Sequence, residues 1–136
     1  MTMGAVSAAA YDVITVVIDG EPVPKARPRV IHNGGSGRVF TPKKTIEAEQ
    51  RIGWEIRRVY PGLLADPERR WLVWARFDCV QGSDVDNLTK LVLDAANRII
   101  WVDDRQVERL DIWRRHVWEK PCTRLRYVPL PVEEEL

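Results

Sequence analysis

The run from Trp71 to Cys79 (WLVWARFDC) alternates, so that Trp71, Val73, Ala75, Phe77 and Cys79 share one side of an extended chain. A strand with one continuous apolar face has to be covered by a second layer. Other strands can lie beside it. Val13 to Ile18 (VITVVI) is a β-branched run closed by Asp19-Gly20, and Gln81-Gly82-Ser83 ends the alternating run itself. A long strand is predicted over roughly Val107 to Trp118, and a last one over Thr123 to Val128. Ile99 to Val102 is a further short apolar stretch.

Two segments have the period needed to supply the covering layer. Thr41-Pro42 places a capping hydroxyl ahead of a proline at the first helical position, and Pro61-Gly62 stops the chain twenty residues later. The helix between them is predicted to reach about Tyr60, burying Ala48, Ile52, Ile56 and Val59. From about Asp86 to Asn97, Leu88, Leu91, Val92 and Ala95 recur at helical spacing. Between the first strand and the first helix, three prolines keep Pro22 to Arg29 (PVPKARPR) extended, with Lys25, Arg27 and Arg29 on one side. Val30-Ile31 and Arg38 to Phe40 flank a glycine-rich tip, the pattern of a hairpin.

The order strands, helix, strand, helix, strands predicts an α+β fold: a single domain whose mixed β-sheet is packed by two main helices. No repeat or long linker divides the 136 residues, which suit one domain. The expected organisation is a disordered leader over 1–11, a folded domain over 12–130 and an acidic tail over 131–136.

No apolar run approaches the ~20 residues of a membrane span, and Met1 to Ala10 lacks the basic n-region of a signal peptide. A cytoplasmic protein with no membrane partner is expected. Cys79 and Cys122 form no CxxC pair and have no neighbouring histidine, so inert thiols are expected; His32 and His116 are isolated. The net charge of +1 hides an asymmetry, because Glu133, Glu134 and Glu135 concentrate three negatives in the tail. Basic residues cluster at Lys25, Arg27 and Arg29, then Lys43 and Lys44, and as pairs at 57–58, 69–70 and 114–115. Such clusters suit phosphate contacts, and equally an ordinary solvated surface.

The stretch Ser83 to Lys90 (SDVDNLTK), with Asp103-Asp104, carries the chemistry. Asp84 and Asp86 stand two apart, just past a strand and just before a helix. On extended backbone both carboxylates point to one side, where they repel unless a cation lies between them. Carboxylate oxygens are the ligands that Mg²⁺ prefers. Asp104 could reach the same pocket, and three carboxylates could hold two metals ~4 Å apart, the arrangement that cleaves phosphodiesters. On the helix, Lys90 lies on the side of Asp86 and Asn97, where a cation could steady charge on a scissile phosphate. Spacing alone leaves the plainer readings open: Asp86 as a helix cap, Asp103-Asp104 as a polar turn, and Lys90 as a surface ion pair with Asp86 or Asp94.

Asp84-Val85-Asp86-Asn87-Leu88-Thr89-Lys90 with Asp94-Ala95, followed by Asp103-Asp104-Arg105-Gln106-Val107, resembles the signature of the RusA family of Holliday junction resolvases, roughly DxDNxxKxxxDAL and then DDxQV. The segment Pro22 to Val30 and the helix start Thr41 to Thr45 (TPKKT) resemble the version found in phage and prophage members. The resemblance runs from about Val13 to Val117. It implies a homodimeric, Mg²⁺-dependent endodeoxyribonuclease that makes paired nicks in four-way junctions, with one or two ions per site and Mn²⁺ as a possible substitute. Carried over residue by residue, the catalytic and metal-binding aspartates fall on Asp84, Asp86 and Asp104, and the essential lysine on Lys90. Asp103 and Asn87 take supporting roles, and Lys25, Arg27, Arg29, Lys43 and Lys44 are the expected DNA contacts. Ala96 departs from the leucine of DAL, and Arg98 stands where many members have glycine. Two alternatives accompany this reading: a nuclease of broader branched-DNA specificity, and a non-catalytic DNA-binding accessory protein, against which the intact set of three aspartates and a lysine argues.

Dimerisation has a sign of its own in the sequence. Leu93 falls on the polar side of the second helix, and six tryptophans are many for so short a chain. One site per copy and a substrate of approximate twofold symmetry make a twofold dimer the simplest match.

Overall fold

A computed structural model describes residues 13–26, 29–33, 36–40, 42–60 and 66–131. The leader, Arg27, Thr41, the Pro61-Gly62 stop and the glutamates of the tail lie outside the described residues, and Pro42, expected as the first helical residue, is itself the N-cap of the first helix. Strands β1 (Ile14–Asp19), β2 (Arg29–Asn33) and β3 (Ser36–Phe40) come first, then helix α1 (Lys43–Val59) and strand β4 (Trp71–Cys79). Helix α2 (Val85–Ala95), a 3-10 turn (Asp104–Gln106), β5 (Val107–His116) and β6 (Cys122–Pro129) complete the order.

The main sheet runs β1-β6-β4-β5 and is mixed. β6 is antiparallel to both β1 and β4, whereas β5 is parallel to β4, the pairing that a crossover through α2 requires. β2 and β3 form a separate antiparallel ribbon. The predicted α+β fold, one mixed sheet with two helices, is therefore the observed one. Among the described residues, no helix is long and apolar enough to cross a membrane.

β4 buries Trp71, Val73, Ala75, Phe77 and Cys79, the face its alternation predicts. Val16 of β1 and Leu125 and Tyr127 of β6 extend that layer, and Ile52, Ile56, Leu88, Leu91 and Val92 cover it from the helices. Burying each of these aliphatic side chains contributes about 1.5–3 kcal/mol. Two differences are instructive. Val59 is 44% exposed, because Tyr60 packs against the core in its place. Thr45, a polar residue, is 1% exposed, because its Oγ1 accepts the N–H of Ala26 at 3.2 Å.

The apolar stretch 99–102 is a turn, not a strand. Arg98 takes φ 66° and its N–H donates to the Trp101 carbonyl at 2.6 Å. Trp101 then plugs the core, 5.8 Å from the Tyr127 ring and 6.4 Å from that of Trp71, and its Nε1 donates to Asn97 Oδ1 at 2.7 Å. Asn97, expected on the polar helix face, thus lies past the helix end and anchors this turn.

Candidate active site

α2 starts where β4 has ended, and its first turn carries two of the candidate aspartates. Asp84 is the N-cap, with extended backbone (φ −70°, ψ 134°) and no side-chain cap hydrogen bond. Asp86 sits inside the first turn and accepts the N–H of Asn87 at 2.9 Å. The capping residue is therefore Asp84 and not Asp86, and the two do not share one extended segment. Their carboxylates gather instead around a helix N-terminus, whose partial positive charge favours negative groups. Both residues are exposed.

Asp104 arrives on the 3-10 turn before β5, and that turn is built by its neighbours. The Asp103 carboxylate accepts the Arg105 N–H at 2.8 Å while Gln106 Oε1 accepts the N–H of Asp103 at 3.3 Å, a reciprocal capping box. The Arg105 backbone N–H, aided by its guanidinium, holds the Asp103 carboxyl below its ordinary range. Gln106 is buried and also accepts from Val102, while its Nε2 donates to the carbonyls of Asp66 and Arg69 at 2.7 and 2.8 Å. In DDRQV, Asp103 and Gln106 fix the turn, which leaves Asp104 as the projecting carboxylate.

Lys90 connects the two parts. Its Nζ lies 3.3 Å from Asp94 Oδ1, one turn further along α2, and 3.7 Å from Asp104 Oδ2. Asp94 is shared: its Oδ2 is 3.1 Å from Lys25 Nζ, which also donates to Glu49 Oε1 of α1. A continuous chain of alternating charge therefore runs Glu49, Lys25, Asp94, Lys90, Asp104. The Lys25 N–H donates to the Asn87 carbonyl at 2.9 Å, which ties the proline-rich arm to the first turn of α2. Burial works against the Lys25 charge, but Glu49 and Asp94 outweigh it and raise its pKa.

The structure thus brings Lys90 and Asp104 together and sets Asp84 and Asp86 at the head of the same helix. Asn87 supports the arm through its backbone. Lys25, expected on a phosphate, turns its ammonium to two carboxylates. Lys43 and Lys44 are exposed at the start of α1, where Lys43 pairs loosely with Glu47 at 3.8 Å. Arg27 lies outside the described residues, as does the side chain of Arg29. The spacing allowed the Lys90–Asp94 pair that forms here, whereas Glu49 and the link from Asp94 to Lys25 had no signal in the sequence.

Hard carboxylate oxygens that cap no helix, two of them on exposed residues and one half-exposed, suit a divalent cation such as Mg²⁺, which binds through one or two carboxylates and completes its shell with water and phosphate. Among the described residues no three acidic, histidine or cysteine side chains already converge on one point. The chemistry of these donors suits such an ion, but the described residues hold no ready-made set of three around it. Beside Lys90 and Asp86 opens an apolar groove of about 300 Å³ between α2 and the edge strand β5, lined by Val85, Thr89, Leu93, Leu110 and Ile112.

Comparison with protein families finds a match to the model described as endodeoxyribonuclease RusA over residues 19–126, which takes in every element from the end of β1 to β6. A search of curated proteins finds no match.

Proposed function

The chain belongs to the RusA endodeoxyribonuclease family, a family of Holliday junction hydrolases, and from that premise we propose that it is a Mg²⁺-dependent, homodimeric enzyme that resolves four-way junctions by paired phosphodiester hydrolysis. The observation that carries this reading is the Lys90 ammonium, held between Asp94 and Asp104 and on the same helix as two exposed aspartates.

Asp84, Asp86 and Asp104 are the residues to hold the cation. When bound, it supplies an activated water and neutralises the oxygen that leaves. Lys90 is 54% exposed along its side chain, so its ammonium is open to a phosphate oxygen while Asp94 keeps it aimed. A cation fixed there acts on charge that grows in the transition state. Asp103 and Gln106 hold the turn that presents Asp104.

The dimer is supported by the groove between α2 and β5. On the α2 wall Leu93 is only partly buried and Val85 is 43% exposed, and on the β5 wall Leu110 is 48% exposed. A second copy would remove this apolar surface from water beside the candidate site. Cleavage of a synthetic four-way junction, measured beside a fork and a linear duplex with and without Mg²⁺, tests the proposal. Paired nicks confined to the junction are expected. Equal cutting of the fork would favour the broader branched-DNA reading, and no metal-dependent cutting of any substrate would sink the enzyme assignment for this chain.

A further inference from the structure

A second cleft opens between α1 and the end of α2, about 340 Å³ in volume, and the aspartate that holds Lys90 forms part of its wall. Gln50, Trp54 and Arg57 follow one another at helical spacing along α1 and line one side. Trp54 is 72% exposed, a large aromatic surface left bare on a helix. The floor is Gly53, where a Cβ would come 3.2 Å from Ile99 Cδ1, so glycine permits the close approach that shapes the cleft. Asp94 stands across from them on α2, and Glu49 adjoins Gln50 on α1; their side chains are 18% and 26% exposed and face Lys25.

The chemistry of this lining selects its occupant. Two carboxylates repel a phosphate but have spare lone pairs for N–H donors, and an amide beside them both donates and accepts. Trp54 offers a face for a planar ring, and Arg57 at the edge suits a flanking phosphate. A neutral, flat, donor-bearing group attached to a phosphate is a nucleotide whose base has left its stack. The position fits as well. Asp86, Lys90 and Asp94 mark successive turns of α2, so the cleft begins ~12 Å along the helix from Asp86, about three to four steps of a DNA strand.

We propose that this cleft is a subsite for an unpaired nucleobase of the branched DNA substrate, a few nucleotides from the scissile phosphate, with Trp54 as its stacking surface. The inference rests on the nuclease reading above. Bases at a branch point are the least costly to unstack, so such a subsite favours a branch over continuous duplex. Because Asp94 faces both the cleft and Lys90, an occupied cleft adjoins the lysine that the reaction uses.

The test uses the full chain carrying Asp84→Asn and a four-way junction with 2-aminopurine at single positions around the crossover. One position a few nucleotides from the nick should change its fluorescence on binding. Trp54→Ala should abolish that change and weaken junction binding about 5- to 150-fold, the loss of one base–aromatic stack, and Trp54→Phe should restore most of both. Unchanged fluorescence and affinity in Trp54→Ala would overturn the subsite. So would conversion of the Trp54→Ala protein to monomers in light scattering, because Trp54 would then be covered by a second copy. If the Asp84→Asn protein bound no branched DNA at all, the nuclease reading itself would fail and the subsite with it.

Discussion

Lys90 Nζ lies 3.7 Å from Asp104 Oδ2, which joins the middle of α2 to the turn that precedes β5. With its side chain 54% exposed, Lys90 gains little stability from the pair, under about 1 kcal/mol. The consequence is positional. Lys90→Ala should therefore leave the fold intact and lower turnover about 10²- to 10³-fold, with a much smaller loss of junction affinity. Single-turnover rates and binding curves measured on one junction separate the two. Equal losses would make Lys90 an ordinary phosphate contact.

Asp84→Asn, Asp86→Asn and Asp104→Asn should each abolish cleavage while circular dichroism and junction binding stay near those of the parent. Asn keeps the shape of Asp but withdraws the charge that holds a divalent ion. Any one of the three that cuts at close to the parent rate leaves the site.

Leu110→Glu should shift a dimer toward monomer at micromolar concentration. It places a charge in the groove of Val85, Leu93 and Ile112 without touching the buried core. Light scattering reads the mass, and an unaltered dimer would move the interface elsewhere.

Asp78 ties acid stability to one buried carboxylate. Its side chain is 5% exposed and accepts from Arg115 Nε at 2.7 Å, with Arg76 Nε 3.3 Å away. The Arg115 hydrogen bond, together with the Arg76 charge, lowers its pKa from the ordinary 3.8 against the opposing effect of burial. A depressed carboxylate stabilises fully above its unfolded pKa, and that contribution is lost as pH falls through the folded value. Urea denaturation from pH 7 to pH 2.5 should show stability falling below about pH 4. Asp78→Asn should cost about 1–3 kcal/mol at pH 7 and flatten that fall. An unchanged acid slope would mean that other carboxylates control it.

Arg98 occupies a left-handed backbone position, φ 66°, that costs a non-glycine residue on the order of 1 kcal/mol. Arg98→Gly should raise thermal stability, by up to about 1 kcal/mol, because relief of strain outweighs the added entropy of the unfolded chain. A lower melting temperature would show that the arginine side chain contributes more than its backbone costs.

The alternation of β4 and the spacing of Leu88, Leu91, Val92 and Ala95 were enough to define that strand, the second helix and their buried faces, because burial on one side imposes a period that a short window of sequence displays. The proximity of Asp84 and Asp86 to a helix start, and the DDRQV turn, were legible for the same local reason. Val59 and Thr45 were not. Which residue of a last turn meets the core, and which hydroxyl meets a neighbouring N–H, depend on where Tyr60 and Ala26 come to lie. The chain of charges was still less accessible. Glu49, Lys25, Asp94, Lys90 and Asp104 belong to four segments of sequence, and only Lys90 and Asp94 are linked by helical spacing. Only the docking of the proline-rich arm on both helices, through Lys25 to Asn87 and Ala26 to Thr45, set the Lys25 ammonium between carboxylates instead of leaving it in solvent. The sequence determined which side chains bear charge, and tertiary packing decided which charges face each other, because ion pairing falls off over a few ångströms and that distance is fixed by the fold.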